Sequence, residues 1–401
     1  MGSISLASLK SLAAASFPNI TERLTSKDVG LDDVLSHEDG PDTQLAATVQ
    51  VPVAPSQMFE YFLQQGWTDG LPVIPPTPQS VQQMIASISL EKHYVVGVIP
   101  PVNGKATVEK LAVNAVMAGC LPAYFPVIIA AVRGMLRPTF NLNGIQTTTS
   151  NVTPLTIVNG PCRQALNLNY SSNVLGQGWR ANATIGRAIR LILSNIGGAV
   201  PGVLDKATLG QPAKYGFCIA ENEEENPWEP LHVERGLGRG VNAVSVCGCT
   251  GVHSIVDMAS KTPKGIITTM AAAMAAGGSS NWFSCEVSCE ALIVMCPEHA
   301  AIFSAGGYSK DDIRQELFQK ARLPHEKFSE ENLELIAKRR PHCFQAGHAR
   351  EIPIVDSPAD IWIVVAGGKG PKSAFIPSWV EVKLTTTPLR DQTASVGECH
   401  C

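Results

Sequence analysis

The chain of 401 residues is long enough for one large domain or two ordinary ones with a substantial core. Hydrophobic residues make up 45% and charged residues 16%, which is typical of a compact globular protein and excludes a largely disordered one. The formal net charge is -4 and no Lys/Arg-rich stripe occurs, so nucleic acid is not an expected partner.

The sequence predicts neither a membrane span nor secretion. The longest apolar stretch, residues 112–132, is interrupted by polar residues, glycine and proline, which favours a buried segment. The N-terminus lacks the basic start and long apolar core of a secretory signal, although its Ser-rich, acid-free composition weakly resembles a mitochondrial transit peptide. We therefore expect a cytoplasmic protein, with a mitochondrial location as the alternative, in which most of the 11 cysteines are thiols.

The chain begins with residues 1–55, which are Ser-, Ala- and Asp-rich and predict an irregular extension. The helical segment MFEYFLQQ and the turn-rich GWTDGLPVIPPTP follow. Short β-branched runs then alternate with Ala-rich helical stretches such as VEKLAVNAVMAG and GIITTMAAAMAAG. The helix in SKDDIRQELFQKAR is sharply delimited, because Ser309 and Asp312 match a capping box and Pro324 follows its end.

This alternation predicts an α/β fold of mostly parallel sheets with helices on both faces. The segments NAVMAGCLPAYFPVIIAAV and AAAMAAGGSSNWFSCEVSCEALIV both run from a helix through an aromatic residue to an apolar strand, which suggests two similar lobes. We assign the first lobe to residues 56–235 and the second to residues 236–385. Residues 386–401, which contain Cys399 and Cys401, would form a flexible tail.

Reactive residue types follow the predicted strands. Parallel sheets bind their ligands beyond the carboxyl ends of the strands, so these exits predict one shared cleft. The exits carry Asn103, Asn159 with Cys162, Glu221 to Glu225, Cys247 with Cys249, Cys296 to His299, and Lys369.

Two cysteine motifs are candidates for the chemistry. In SVCGCTG, Cys247 and Cys249 form a C-x-C pair that could hold a soft metal or act as a redox-active dithiol. In CPEHA, Cys296 stands at a predicted helix start, where the helix macrodipole favours a thiolate. His299 could serve as its base and Glu298 as the group that orients the base. The alternative for both motifs is cysteine buried as a small apolar residue.

The remaining candidates hold the substrate or assist the chemistry. Arg180 and Asn182, at the start of a predicted helix after GQG, suggest an anion clamp, for which structural ion pairing is the alternative. Lys369 in GGKG offers an ammonium group and nearby backbone N–H groups to an anion. The acidic run ENEEENPWEPLHVERG leaves a buried strand, and Trp228 between two prolines indicates a fixed loop rather than a solvated one. Its candidate residues are Glu221, Glu224, His232 and Arg235.

Blocks of the sequence resemble a little-characterised family. They are GWTDGLPVIPPT, NAVMAGCLPAYFPV, RANATIGRAIRL, DKATLGQPAKYGFCIAENEEENPWEPLHVERG and CPEHA…SKDDIR, which together span roughly residues 60–325. Bacterial members of this family are often encoded beside small proteins with a U-G-S-C or C-G-S-C selenol/thiol motif. The resemblance implies a thiol- or selenol-linked enzyme that acts on a small molecule. This chain departs from the family in having no U-G-S-C-like segment and in its additional cysteines, Cys247, Cys249, Cys285, Cys289 and the C-terminal CHC.

The leading hypothesis is an enzyme that performs redox or carbon–heteroatom bond chemistry, centred on cysteine, on a small carboxylate-bearing substrate. A soft transition metal or a redox-active dithiol would be its cofactor. The expected catalytic residues are Cys247, Cys249, Cys296, Glu221, His232 and His299. The expected substrate-binding residues are Arg180, Asn182, Arg235, Lys369 and Asn159. The expected metal ligands are Cys247, Cys249 and Glu224.

Two alternatives remain open. One is a metal-dependent hydrolase or lyase that uses the Glu/His loop. The other is a non-catalytic subunit whose site is completed by a partner protein. A homo-oligomer is also compatible with the sequence.

Overall fold

The computed structural model describes residues 48–284, 289–344 and 350–389. Most of the predicted N-terminal extension lies outside these residues, as do Cys285, Cys399 and Cys401. Within them, helices and strands alternate, and the predicted α/β class is confirmed.

The described chain contains twelve α-helices and twelve strands. The helices are α1 (Pro55–Gln64), α2 (Pro78–Ile85), α3 (Val108–Ala118), α4 (Phe125–Met135), α5 (Leu142–Thr147), α6 (Cys162–Ala165), α7 (Arg180–Asn195), α8 (Leu231–Glu234), α9 (Pro263–Met274), α10 (Pro297–Ala305), α11 (Lys310–Lys320) and α12 (Glu330–Arg339). The strands are β1 (Val95–Ile99), β2 (Gly104–Thr107), β3 (Thr153–Asn159), β4 (Cys218–Ala220), β5 (Ala243–Cys249), β6 (His253–Val256), β7 (Ala291–Met295), β8 (Arg322–Pro324), β9 (Glu351–Pro353), β10 (Ile361–Val365), β11 (Lys372–Pro377) and β12 (Thr385–Pro388).

Two four-stranded sheets form the centre. Sheet 1 has the strand order β12-β5-β3-β4, and sheet 2 has the order β10-β7-β11-β6. Only the pairs β3–β4 and β7–β10 are parallel, so the prediction of mostly parallel sheets is wrong. Parallel neighbours need a crossover connection. The chain between β3 and β4 contains the full-length helix α7, and the chain between β7 and β10 contains the full-length helices α10, α11 and α12. The segments after β4 and β10 return without such a helix, and the next strand of each sheet is antiparallel.

The two sheets pack against each other. Alternate side chains of a strand point to opposite faces, so Ile157 joins the core between the sheets whereas Val158 joins the core with helices α1 to α7. In sheet 2, Val294 faces the inter-sheet core and Ile293 faces the core with helices α9 to α12. Each sheet therefore has helices on one face and the other sheet on its second face, which differs from the predicted cover of helices on both faces. Burial on both faces accounts for the continuous apolar runs in the sequence.

The strand connections repeat. In sheet 1, β3 is an inner strand, β4 pairs with it in parallel at the edge of the sheet, and β5 pairs with it antiparallel on the other side. In sheet 2, β7, β10 and β11 have the same arrangement in the same chain order. The next strand then joins the other sheet: β6 lies in sheet 2 and β12 in sheet 1. Because β5 pairs with β3, strands on both sides of the predicted lobe boundary at residue 235 belong to one sheet.

The capping box of α11 is confirmed. The Ser309 hydroxyl accepts a hydrogen bond from the Asp312 backbone N–H, and the Asp312 carboxylate accepts one from the Ser309 N–H. Within the described ranges, no helix combines the length and the apolar character needed to cross a membrane.

We expect Ser309→Ala to lower the free energy of unfolding by about 1 kcal/mol, because the first turn of α11 loses an acceptor for its backbone N–H. Urea unfolding followed by circular dichroism measures this change. Ser304→Ala, at an exposed position in α10, is the matched control and should change the stability by less than about 0.5 kcal/mol. Equal stabilities of the two variants would contradict a capping contribution.

Candidate functional site

The carboxyl ends of the four parallel strands lie at one edge of the two sheets. The Asn222 backbone N–H, just after β4, donates a hydrogen bond of 2.7 Å to the carbonyl of Val365, the last residue of β10. The Gly367 N–H, after β10, donates one of 3.0 Å to the carbonyl of Tyr170, in the segment after α6. The loops that follow β3, β4, β7 and β10 thus meet, and they carry most of the residues that the sequence singles out.

Cys296 and His299 lie in the first turn of α10, directly after β7. Cys296 occupies the N-cap position and Pro297 the first helical position, as the sequence predicts. The Ser373 hydroxyl, on β11, donates a hydrogen bond to the Cys296 sulfur at 3.6 Å and lies 2.8 Å from Nδ1 of His299. Nε2 of His299 lies 3.4 Å from the carbonyl oxygen of Asp257. The imidazole is therefore held between Ser373 and Asp257, and Ser373 links it to the thiol.

The surroundings of this pair favour its charged form. Burial raises the pKa of the Cys296 thiol, but interactions with the His299 side chain and backbone and with Ser373 outweigh burial, so the pKa is lowered from its ordinary value. Burial lowers the pKa of His299, but Cys296 and Asp257 outweigh burial and raise it. A thiolate beside an imidazolium is the arrangement that makes cysteine nucleophilic.

Glu298 does not orient His299. Its carboxylate accepts a hydrogen bond from the Gly370 backbone N–H and so ties the glycine-rich loop, residues 366–371, to α10. Gly367 and Gly370 have φ angles of 112° and 134°, which favour glycine. Lys369 is exposed, and within the described parts of the chain the N–H groups of Gly368 and Lys369 donate no hydrogen bond. This loop can offer two N–H groups and an ammonium group to an anion.

Glu221 is fully buried and holds the acidic loop together. One of its carboxylate oxygens accepts hydrogen bonds from the Asn159 amide at 2.7 Å and from the Leu231 backbone N–H at 2.8 Å. The other accepts one from the Asn226 amide at 2.9 Å. Burial raises the pKa of Glu221, although Lys310 and these donors act in the opposite direction. The structure thus brings Asn159 and Glu221 together, with the oxygens of Glu221 engaged by the protein.

Arg163, which the sequence analysis does not single out, organises the same loop. Its guanidinium is buried and donates to the carbonyls of Gly160 and Glu221 at 3.0 and 2.7 Å. It also forms ion pairs with Glu223 at 3.1 Å and with Glu224 at 3.0 Å. Its place in NGPCR, four residues beyond the end of β3, is the one signal in the sequence, and that position alone does not identify its partners.

His232 and Arg235 lie on and just after α8. His232 is fully buried, with Nε2 3.3 Å from the Arg239 carbonyl and Nδ1 3.9 Å from a carboxylate oxygen of Glu223. In the described part of the chain, Nδ1 of His232 and the side-chain oxygen of Asn159 have no hydrogen-bond partner. Arg235 stacks on the Trp362 ring at 5.0 Å rather than facing the carboxylates.

Cys247 and Cys249 lie away from this edge. Their sulfurs are 3.5 Å apart and belong to the apolar core between the sheets. Because β5 is antiparallel to β3, Cys249 pairs with Thr153 at the opposite end of β3 from Asn159, roughly 20 Å away. The predicted metal set of Cys247, Cys249 and Glu224 is therefore not assembled. The adjacent Cys249 and burial raise the pKa of Cys247 well above its ordinary value, which disfavours its thiolate.

Arg180 and Asn182 do not form a joint clamp. The Arg180 guanidinium donates two hydrogen bonds, of 3.0 and 2.9 Å, to the carbonyl of Gly119 at the end of α3. Asn182 is buried and bonds to both backbone groups of Asn169 and to the carbonyl of Cys218. Residues two apart on a helix face different directions, which accounts for their separate roles.

No protein-family model matches the chain, and a search of curated proteins found no match. The resemblance to the family associated with U-G-S-C proteins therefore stays a prediction.

Proposed function

We propose that the chain is an enzyme whose reactive group is the Cys296 thiolate, with His299 as its acid/base partner. The observation that carries this proposal is the Ser373 hydroxyl, which lies 2.8 Å from Nδ1 of His299 and donates to the Cys296 sulfur at 3.6 Å. In the neutral pair the thiol would donate to Ser373 and Ser373 to Nδ1 of His299. When both protons move along these bonds, Ser373 donates to the resulting thiolate and the imidazolium Nδ1–H donates to Ser373, so no other reagent is needed.

A small carboxylate-bearing molecule is the proposed substrate. The glycine-rich loop is tied to the first turn of α10 by the Gly370–Glu298 hydrogen bond, and it carries Lys369 and two N–H groups that donate no hydrogen bond within the described residues. Cys296 and His299 are each 1% exposed, so a substrate would enter when this loop moves away. A thiolate in this setting suits redox chemistry or the making and breaking of carbon–heteroatom bonds.

The alternatives receive less support. A hydrolase or lyase that uses the Glu/His loop would need free carboxylate oxygens for a metal, whereas both oxygens of Glu221 accept hydrogen bonds, from Asn159, Asn226 and the Leu231 backbone N–H. A non-catalytic subunit would not need a thiol whose pKa is lowered inside a buried site.

A reducing compartment is part of the proposal. The eight cysteines of the described residues are all free thiols, which is typical of the cytoplasm. A protein partner or a homo-oligomer remains a prediction from the sequence.

Thiol alkylation with iodoacetamide tests the proposal. Burial raises the pKa of Cys120 and Cys162 to about 12, so at pH 8 about one molecule in 10⁴ of each is a thiolate. The pKa of the Cys296 thiol is lowered against the opposing effect of burial, chiefly by the His299 side chain, so Cys296 carries by far the larger thiolate fraction at pH 8. Among the eight cysteines of the described residues, we expect peptide mass spectrometry to find Cys296 alkylated first.

Cys296→Ser should abolish this fast phase, whereas the control Cys218→Ser should keep it, since burial raises the pKa of Cys218 far above its ordinary value. Alkylation of Cys296 no faster than that of Cys120 under native conditions would contradict the proposed thiolate.

A further inference from the structure

A cluster of metal-ligating side chains lies on the helical side of sheet 2. It consists of His342 and Cys343, in the turn after α12, and Asp356, after β9. A ring nitrogen, a thiol sulfur and a carboxylate oxygen of these residues all lie within 4.8 Å of one another. Three different donor atoms therefore converge from two separate segments.

We propose that this cluster binds a divalent cation of the zinc class. Zinc is bound in proteins by cysteine sulfur, histidine nitrogen and carboxylate oxygen, and tetrahedral coordination brings ligand atoms close together. A hard cation such as Mg²⁺ prefers oxygen ligands only, and a purely thiophilic ion would not select histidine and aspartate. The mixed donor set therefore favours zinc among the common ions.

Arg340 supplies the outer support that such sites need. It is fully buried, donates from Nε to the Asp356 carboxylate at 3.1 Å and from Nη2 to the Pro353 carbonyl at 3.0 Å. Carboxylates that bind metals are commonly fixed by a hydrogen-bond donor of this kind. His342 Nε2 lies 2.8 Å from the same carboxylate oxygen, so the nitrogen and oxygen ligands are already adjacent.

The burial of the ligands indicates the kind of site. Cys343 is buried, whereas the His342 side chain is 50% exposed. Three protein ligands with one open, solvent-facing side leave a fourth position for water or an external ligand. The site shares no residue with the proposed thiol centre, so this inference does not depend on the proposed function.

Metal titration of the full chain tests the inference. Protein stripped with a chelator should bind one equivalent of Zn²⁺, measured by competition with a chromophoric chelator. Co²⁺ should bind at the same site and give a thiolate-to-cobalt charge-transfer absorption. His342→Ala and Cys343→Ser should each weaken Zn²⁺ binding by about 100-fold or more, because loss of an outer-shell partner alone costs 10–100-fold.

Matched controls are His93→Ala and Cys218→Ser, which change residues of the same types outside the cluster and should leave binding unaltered. Cys343→Ser should remove the cobalt absorption, and His342→Ala, at a half-exposed position, guards against loss of folding as the explanation. Failure of the wild-type chain to bind Zn²⁺ at one equivalent would overturn the inference, as would unchanged affinity in His342→Ala.

Discussion

Replacing Glu221 with alanine is expected to lower the free energy of unfolding by about 3–5 kcal/mol. The substitution removes the acceptor of the buried Leu231 N–H, of the half-buried Asn226 amide and of one of the two hydrogen bonds that the Asn159 amide donates, and a buried unpaired donor costs about 1–3 kcal/mol. Removing a buried carboxylate also relieves its desolvation cost, so the loss should fall below the simple sum. Chemical denaturation followed by circular dichroism measures it.

Glu225→Ala is the matched control in the same acidic run. Glu225 is exposed, and its substitution should change the stability by less than about 0.5 kcal/mol. If Glu221→Ala proved as mild as Glu225→Ala, the carboxylate would not be holding the loop, and a catalytic role for Glu221 would again be the better interpretation.

The sequence pattern predicted which residues lie at the ends of the buried strands, and several of these residues belong to the candidate site. Asn159, Glu221 and Cys296 follow continuous apolar runs, and such runs mark strands buried on both faces whatever layer covers them. The position of Trp228 between two prolines also predicted an anchor of the acidic loop. In the structure, its ring nitrogen donates a hydrogen bond to the Tyr308 carbonyl at 2.9 Å.

The direction of each strand could not be predicted from the same pattern. An apolar run looks alike in parallel and antiparallel sheets, so Cys247 and Cys249 were assigned to the shared cleft although β5 runs the opposite way. The sheet order was equally hidden. Ser373 reaches Cys296 and His299 because β11 pairs with β7, across more than 70 residues of sequence.

Side-chain partners depend on these long-range pairings. Arg163 joins Glu223 and Glu224 because β3 and β4 are parallel neighbours whose exits meet. The three arginines of the α7 segment bond outside the acidic loop: Arg180 donates to the Gly119 carbonyl, Arg187 to the Asp69 carboxylate and Arg190 to the Lys214 carbonyl. The charge of each side chain is known from the sequence, whereas the sheet topology determines which partner that side chain reaches.

His299→Ala is expected to slow the alkylation of Cys296 at pH 7 by at least about tenfold. Burial raises the pKa of the Cys296 thiol, and the His299 side chain is the first of the interactions that lower it. Without the imidazole, the effect of burial should prevail and the pKa should rise, and each unit removes about nine-tenths of the thiolate at pH 7. A more basic thiolate is intrinsically more nucleophilic, which offsets the loss by roughly half on a logarithmic scale.

The pH profile of the alkylation rate tests the direction in which His299→Ala changes the pKa of Cys296. Since the wild-type thiol has a lowered pKa, its rate should reach a plateau at lower pH than that of His299→Ala, and the variant's curve should move to higher pH. Ser373→Ala should also move the rate curve to higher pH, but by a smaller amount, because the backbone and ring of His299 still stabilise the thiolate. His93→Ala, a histidine outside the site, is the control and should reproduce the wild-type curve. Superimposable curves for wild type and His299→Ala would mean that the imidazole does not stabilise the thiolate, and His299 would then lose its proposed acid/base role.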